Sequence, residues 1–348
     1  MDESGPRLDD ERLTVDDALA HSARGHEQPD ALGALCFSAA TVHRTDPDFP
    51  CLYVPLPRLD RAEPEYEIWR SSGQLTTGQH DDVRYRHDGE FVFGTVVLGE
   101  DRFAAEAGRT PLQKATESAY RQVFTLLDNL SIPYPFRFWN YVPGINASSH
   151  GSERYQQFNS GRQAAFLAHA RDVHGNLPAA CALGMEQGSL SVAFLAGRTL
   201  PRGIENPRQI SAFNYPVQYG LRSPTFSRAS LVKTGRSEML LISGTASVVG
   251  HASRHPRDVE AQTRETMTNI EAVLAETNRL STSGPFAVGD LNYRVYLRHS
   301  DDLERVRVVI AQYIATPFRA VYLQADICRQ DLLVEIEATA ISNSGRRS

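Results

Sequence analysis

A layered α/β fold in two similar halves, each a sheet covered by helices on one face, is the class this sequence predicts. Two apolar runs carry the first signal: FVFGTVVLG (91–99) and LISGTASVVG (241–250) each break at Gly-Thr and end on a further glycine. The segments after the two runs are also alike, a helical periodicity and then strand, helix, strand, strand. Both halves therefore read β-α-β-α-β-β, which is α+β in local order. Two units are too few and too long for a solenoid, so a duplicated domain is expected.

The helices and strands can be placed in chain order. Thr110-Pro111 offers an N-cap and a proline at the first helical position, and Leu112, Ala115, Ala119, Val123 and Leu126 recur at helical spacing. In the second half Val259, Met267, Ile270, Val273 and Leu274 mark the equivalent helix. Strands are expected at 136–141 and 292–297, and helices near 152–170 and 301–315. Leu303, Val306, Ile310 and Tyr313 line one face of the last helix. Two strands close each half, at 178–185 and 189–196, then 319–327 and 332–340. The N-terminal half spans 31–200 and the C-terminal half 201–348. Residues 1–30 are polar and acidic and read as a mobile tail, and the closing SNSGRRS as frayed.

Whole-chain properties narrow the function. With 348 residues the chain can bury a large core. A net charge of -6 argues against a nucleic-acid partner and leaves room for a local basic pocket. No stretch of about 18 apolar residues suggests a membrane span. The acidic start MDESGPRLDDERL lacks the pattern of a signal peptide, so a cytoplasmic enzyme is expected. Cys36, Cys51, Cys181 and Cys328 form no CxxC pair, so neither a metal site nor a disulfide framework is expected.

The last strand carries the chemistry. In 331–338 (DLLVEIEA), Leu332, Val334, Ile336 and Ala338 fall on one face and Leu333, Glu335 and Glu337 on the other. Such carboxylates are either solvated on a surface or line a cleft, where burial raises a carboxyl's pKa and makes it a proton donor.

Residues 238–340 resemble the RidA/YjgF family in ISGTASVVGH, DVEAQTRETMTNIEAVL, YRVYLRHSDDLERVRVVIAQY and ADICRQDLLVEIEA. The resemblance implies that Glu335 is the functional carboxylate. Imine-deaminating members place an arginine on the preceding strand, where this chain holds Tyr322, which argues against that activity. Upstream, WNYVPGIN (139–146), ERYQQFNSGRQAAF (153–166), IENPRQISAFNYPVQYG (204–220) and SPTFSRAS (223–230) resemble the chorismatases, from about residue 85 to the C-terminus. Residues 1–80 carry no comparable stretch.

That resemblance implies cleavage of chorismate, with Glu335 transferring a proton and Tyr155, Arg162, Tyr215 and Arg228 contacting substrate. Tyr155 and Arg162 stand seven apart and share a helix face. Two arginines suit the two carboxylates of chorismate. The hydrolytic subtype, which resembles this pattern, has alanine where this chain has Gly244 and Cys328; glycine and cysteine there imply the 3-hydroxybenzoate-forming subtype. Chorismic acid equals hydroxybenzoic acid plus pyruvic acid atom for atom, so that route needs no water, redox change, metal or organic cofactor. The alternatives are a hydrolase giving 3,4-dihydroxycyclohexa-1,5-diene carboxylate and a RidA-like binder of small carboxylates without catalysis. RidA proteins form their sites between subunits; a fused duplicate can meet that need within one chain, as a monomer.

Overall fold

The structure is a computed structural model and describes residues 13–19, 28–39, 47–61, 64–106 and 108–342. Strands β1 (Leu13–Leu19), β2 (Ala31–Phe37), β3 (Cys51–Val54) and β4 (Glu65–Ser71) form a sheet in the order β1-β4-β2-β3. The mobile tail expected over 1–30 is thus corrected at Leu13–Leu19, which pairs antiparallel with β4 along its whole length. Residues 1–12 and 20–27 lie outside the described residues.

The first half begins with the hairpin β5 (Thr76–His80) and β6 (Val83–His87), then β7 (Phe91–Leu98), α1 (Pro111–Leu130), β8 (Tyr134–Pro143), α2 (Arg154–Ala168), β9 (Ala179–Met185) and β10 (Leu190–Gly197). The second half runs β11 (Arg202–Ile204), β12 (Ala229–Thr234), β13 (Ser237–Ala246), α3 (Val259–Leu280), β14 (Asn292–Leu297), α4 (Leu303–Tyr313), β15 (Arg319–Gln324), β16 (Asp326–Ile327) and β17 (Val334–Ser342). The helices start where the sequence supplies caps. Thr110 Oγ1 accepts from the Gln113 amide at 3.2 Å ahead of Pro111, and Asp258 accepts from the Ala261 amide at 3.0 Å.

Within each half the sheet order is third, second, fourth, first: β9-β8-β10-β7 and β15-β14-β17-β13. The second and third strands are parallel and the others antiparallel. The expected strand at 319–327 divides because β16 leaves its own sheet and pairs with β9 of the first half, Ile327 opposite Leu183. This exchange ties the halves together next to Cys328.

Each sheet buries one face under its own helices. Val192, Phe194 and Phe138 pack with Leu112, Tyr120 and Phe158, and Ile242, Val295 and Ile336 pack with Met267, Ile270 and Val306. Gly161 lets α2 press on α1, since a Cβ there would lie 2.2 Å from the Gln113 carbonyl oxygen. The opposite faces of both sheets meet the four-stranded sheet in a middle layer that includes Trp69, Trp139, Tyr141, Cys181, Leu241 and Tyr296. The alternation expected from Leu332 holds only from Val334, where β17 begins. Leu332 joins the middle layer and Leu333 the helix side, because the connection before the strand is not extended in register with it. Ser342 is still in β17, and residues 343–348 lie outside the described residues.

Candidate active site

Glu335 and Glu337 project from β17 away from the helices, into the middle layer, and are 3% and 4% exposed. Opposite them β13 is irregular. Ile242 pairs with Ala338 and Thr245 with Ile336, so Ser243 and Gly244 together oppose Glu337 alone. A bulge of this kind re-aims a strand locally. Here it brings Gly244 against Glu335: a Cβ on Gly244 would sit 1.9 Å from Glu335 Oε1. On the other carboxyl oxygen, Oε2, the Cys328 sulfur stands at 4.0 Å. The two small positions singled out in the sequence therefore flank the two oxygens of one carboxyl group.

Cys328 lies in the connection between β16 and β17, and one arginine fixes that connection. Arg298 donates to the carbonyls of Leu332 (2.8 Å), Ile327 (3.2 Å) and Arg329 (2.9 Å), to Asn146 Oδ1 (3.1 Å) and to Asp326. Sequence reading missed Arg298, whose role exists only once three remote stretches meet.

Glu335, Gly244 and Cys328 form one end of a cleft also lined by Tyr155 from the first turn of α2, and by Tyr215 and Arg228 from the long connection into β12. Arg228 donates to the Tyr215 hydroxyl at 2.8 Å and to the Ile210 carbonyl at 2.9 Å, while its buried Nε has no partner among the described residues. Arg162 is brought less close. It is buried in the α1/α2 layer over the Phe158 ring and bonded to Asn159 at 2.9 Å, and it is not among the cleft-lining residues. Seven residues of helix rise about 10 Å, so only the Tyr155 end of their shared face opens on the cleft. Tyr322, the position compared with the deaminase arginine, packs on the helix side under Arg307, away from the cleft.

Another guanidinium lines the cleft instead. Arg329 lies 4.1 Å from the Tyr219 ring centre and 5.2 Å from that of Tyr215, and its Nη1 donates to the His251 carbonyl at 2.8 Å. Its Nε and Nη2 donate to no acceptor among the described residues. Tyr219 in turn bonds His251 at 3.3 Å. The sequence signal for Arg329 was its place directly after Cys328.

Burial pushes the Glu335 carboxyl up to about 8, with the charge of Glu337 adding to the shift and Arg137 opposing it. Glu335 is therefore largely protonated at neutral pH. Burial likewise raises the Cys328 thiol to about 12, helped by Glu335, so it is a thiol and not a thiolate. Among the described residues, no group of His, Cys, Asp and Glu is placed to hold a metal ion. The arrangement can donate a proton, hold anionic groups beside the donor, and shield both from water.

Comparison with known proteins bears on this cleft. Residues 67–196 match the family described as "Chorismatase FkbO/Hyg5-like, N-terminal", and residues 225–342 match "Endoribonuclease L-PSP". A 3-hydroxybenzoate synthase of Streptomyces hygroscopicus is 35% identical over 314 residues, covering 84% of this chain and 88% of that protein. A chorismatase of Streptomyces rapamycinicus is 35% identical over 279 residues, 78% of this chain and 80% of its own. A chorismatase crystal structure superposes with a TM-score of 0.80 at 28% identity, covering 95% of this chain and 98% of that one. With both segments matched and the relatives aligned along most of their length, the chain belongs to the chorismatase family of enzymes.

Proposed function

We propose that this enzyme cleaves chorismate to 3-hydroxybenzoate and pyruvate, with Glu335 as the proton-transfer residue. The observation that carries the reading is the setting of Glu335: a buried, protonated carboxyl group between Gly244 and Cys328, at the end of a cleft lined by Arg228 and Arg329.

The proton balance closes on this one group. Glu335 gives its proton to the methylene of the enolpyruvyl side chain, which becomes the methyl group of pyruvate. The ring C3–O bond then breaks with its electron pair moving to the departing oxygen. The ring 4-hydroxyl attacks the same carbon and returns its proton to the Glu335 carboxylate. The resulting arene-oxide-like ring opens at C4 and loses the C3 hydrogen as a proton, giving the aromatic phenol. No water enters.

Arg228 and Arg329 hold the two carboxylates by charge-assisted hydrogen bonds, and Tyr155 and Tyr215 bound the ring. Arg162, bonded to Asn159 in the helix layer, adds a positive charge near Tyr155. The Gly244 and Cys328 sites leave room for the ring to approach Glu335, while the neutral thiol at Oε2 supplies no competing base. In a monomer the middle layer provides the enclosure that separate subunits would otherwise supply.

Incubation with chorismate in ¹⁸O-labelled water, followed by mass analysis, tests the reading. The expected products are pyruvate and 3-hydroxybenzoate with no label in the ring product. A non-aromatic ring product heavier than hydroxybenzoate by one water would identify the diene-diol hydrolase, whether the label sits in that product or in pyruvate, and unconsumed chorismate would leave only the binder.

A further inference from the structure

Behind the cleft, four charged side chains run through the middle layer without touching it. Glu337 lies two residues from Glu335 on the same face of β17. Its Oε2 accepts from Arg137 of β8 and its Oε1 from Arg294 of β14, and the Tyr296 hydroxyl also donates to Oε1, at 2.9 Å. Arg294 reaches onward to Glu67 of β4, in the four-stranded sheet. Arg137 donates in addition to the Ile242 carbonyl at 2.8 Å, one residue before the β13 bulge. Two arginines and two glutamates balance in charge.

Buried ion pairs cost desolvation and are weak evidence for stability. This fold does not need them at these positions either. In the first half the corresponding residues of β10 are Ala193 and Leu195, both buried. The four charges therefore call for another explanation, and their neighbour supplies it. Residues two apart on one strand face are separated by about 7 Å. Two carboxyl groups so close and so deeply buried do not both ionise cheaply. Glu337 has guanidinium groups on both oxygens, whereas Glu335 has no salt-bridge partner among the described residues.

We propose that Glu67, Arg294, Glu337 and Arg137 act as a charge-holding array for Glu335: the arginines keep Glu337 ionised, and its fixed negative charge adds to burial in keeping the adjacent carboxyl in its proton-carrying form. The inference rests on the reading of Glu335 as the proton donor. Glu337 is a positioning residue in this scheme and touches no substrate.

Other titratable groups near Glu335 leave the assignment intact. Cys181 of β9, Tyr155 of α2, Tyr296 of β14 and Cys328 all have their pKa values pushed up by burial, so they stay neutral through the working range. Glu153 shares the cleft with Arg228 and Arg329, and burial raises its carboxyl too. The charges that differ between an intact and a broken array are Glu337 and its arginines.

The test tracks the proton on Glu335 directly. In the full chain without substrate, the infrared band of the protonated carboxyl, assigned by its loss in Glu335→Gln, is titrated with pH. Glu337→Gln is expected to lower that titration by about one pH unit or more, and Glu67→Gln by less in the same direction. The charge-balanced Glu337→Gln/Arg137→Gln is expected to recover part of the shift. The alkaline limb of the pH profile of kcat/KM moves with the band, whereas a merely structural loss would lower activity without moving it. A band absent from the wild type at pH 6, or unmoved in a folded Glu337→Gln, overturns the proposal. Should that variant fail to fold, Glu67→Gln decides by the same criterion. Failure of the wild type to consume chorismate would remove the functional reading while the titration still judges the array.

Discussion

The last strand of each half occupies the same place in its sheet, yet only one of the two carries charge. Ala193 and Leu195 of β10 pair with Trp139 and Arg137 of β8, as Glu335 and Glu337 of β17 pair with Tyr296 and Arg294 of β14. Arg137 and Arg294 are thus equivalent residues of the two halves, and both converge on a carboxylate that only the second half has. The first strands differ too. β7 pairs with β10 without interruption through Gly94-Thr95, while β13 bulges at Ser243-Gly244. A Cβ on Gly94 would strike the Phe194 ring at 2.5 Å, and one on Gly244 would strike a carboxyl oxygen of Glu335. The same Gly-Thr pair is a packing contact in one half and a wall of the cleft in the other. The two halves share one strand order, and two acidic residues and a bulge distinguish the half that carries Glu335.

Removing the acid should produce the largest effect. Glu335→Gln is expected to lower kcat about a thousandfold while the chain stays folded, measured by pyruvate release and circular dichroism. The same variant sharpens the contrast with the apolar β10 through stability. The Glu335 pKa is raised from its unfolded value to about 8, so its contribution is fully present below pH 4.5 and is lost as pH rises through about 8. Relative to wild type, Glu335→Gln should therefore gain about 4 kcal/mol between pH 5 and 9. Equal pH dependence of the two denaturation midpoints would show that the carboxyl is not buried as described.

The glycines offer a direct test of the two halves against each other. Gly244→Ala displaces Glu335 and should lower kcat about a hundredfold; together with Cys328→Ala it should turn the product toward the diol. Gly94→Ala should leave kcat and product unchanged and cost about 1–3 kcal/mol in denaturant unfolding. Matching kinetic losses in both would break the distinction. Smaller still, Arg228→Met or Arg329→Met should raise KM about 30-fold, near 2 kcal/mol per charge-assisted contact. Arg162→Met should raise KM less, since Arg162 does not line the cleft.

Much of this was legible in the sequence, unevenly. The helices after Thr110 and Asp258 were readable because capping and apolar spacing are local. The four-stranded sheet was not, because its short strands, including the buried run at 31–37, read as no repeat and matched no motif. Glu335, Tyr155, Tyr215, Arg228, Gly244 and Cys328 were found by resemblance, and all of them line one cleft. Arg329, Arg298 and the partners of Glu337 escaped, since nothing near them in sequence says what they will touch.

By itself the sequence determined the duplicated β-α-β-α-β-β order, the helix starts and the pair of acids two apart on one strand face. These depend on spacing along a single element. Tertiary structure alone decided that β16 crosses into the other half, that the β13 bulge sets Gly244 against Glu335, and that one carboxylate is ion-paired while its neighbour has no ion pair among the described residues. The physical reason is that proton affinity depends on the charges and burial around a group, and those come from β4, β8 and β14, far from residue 335 in the chain.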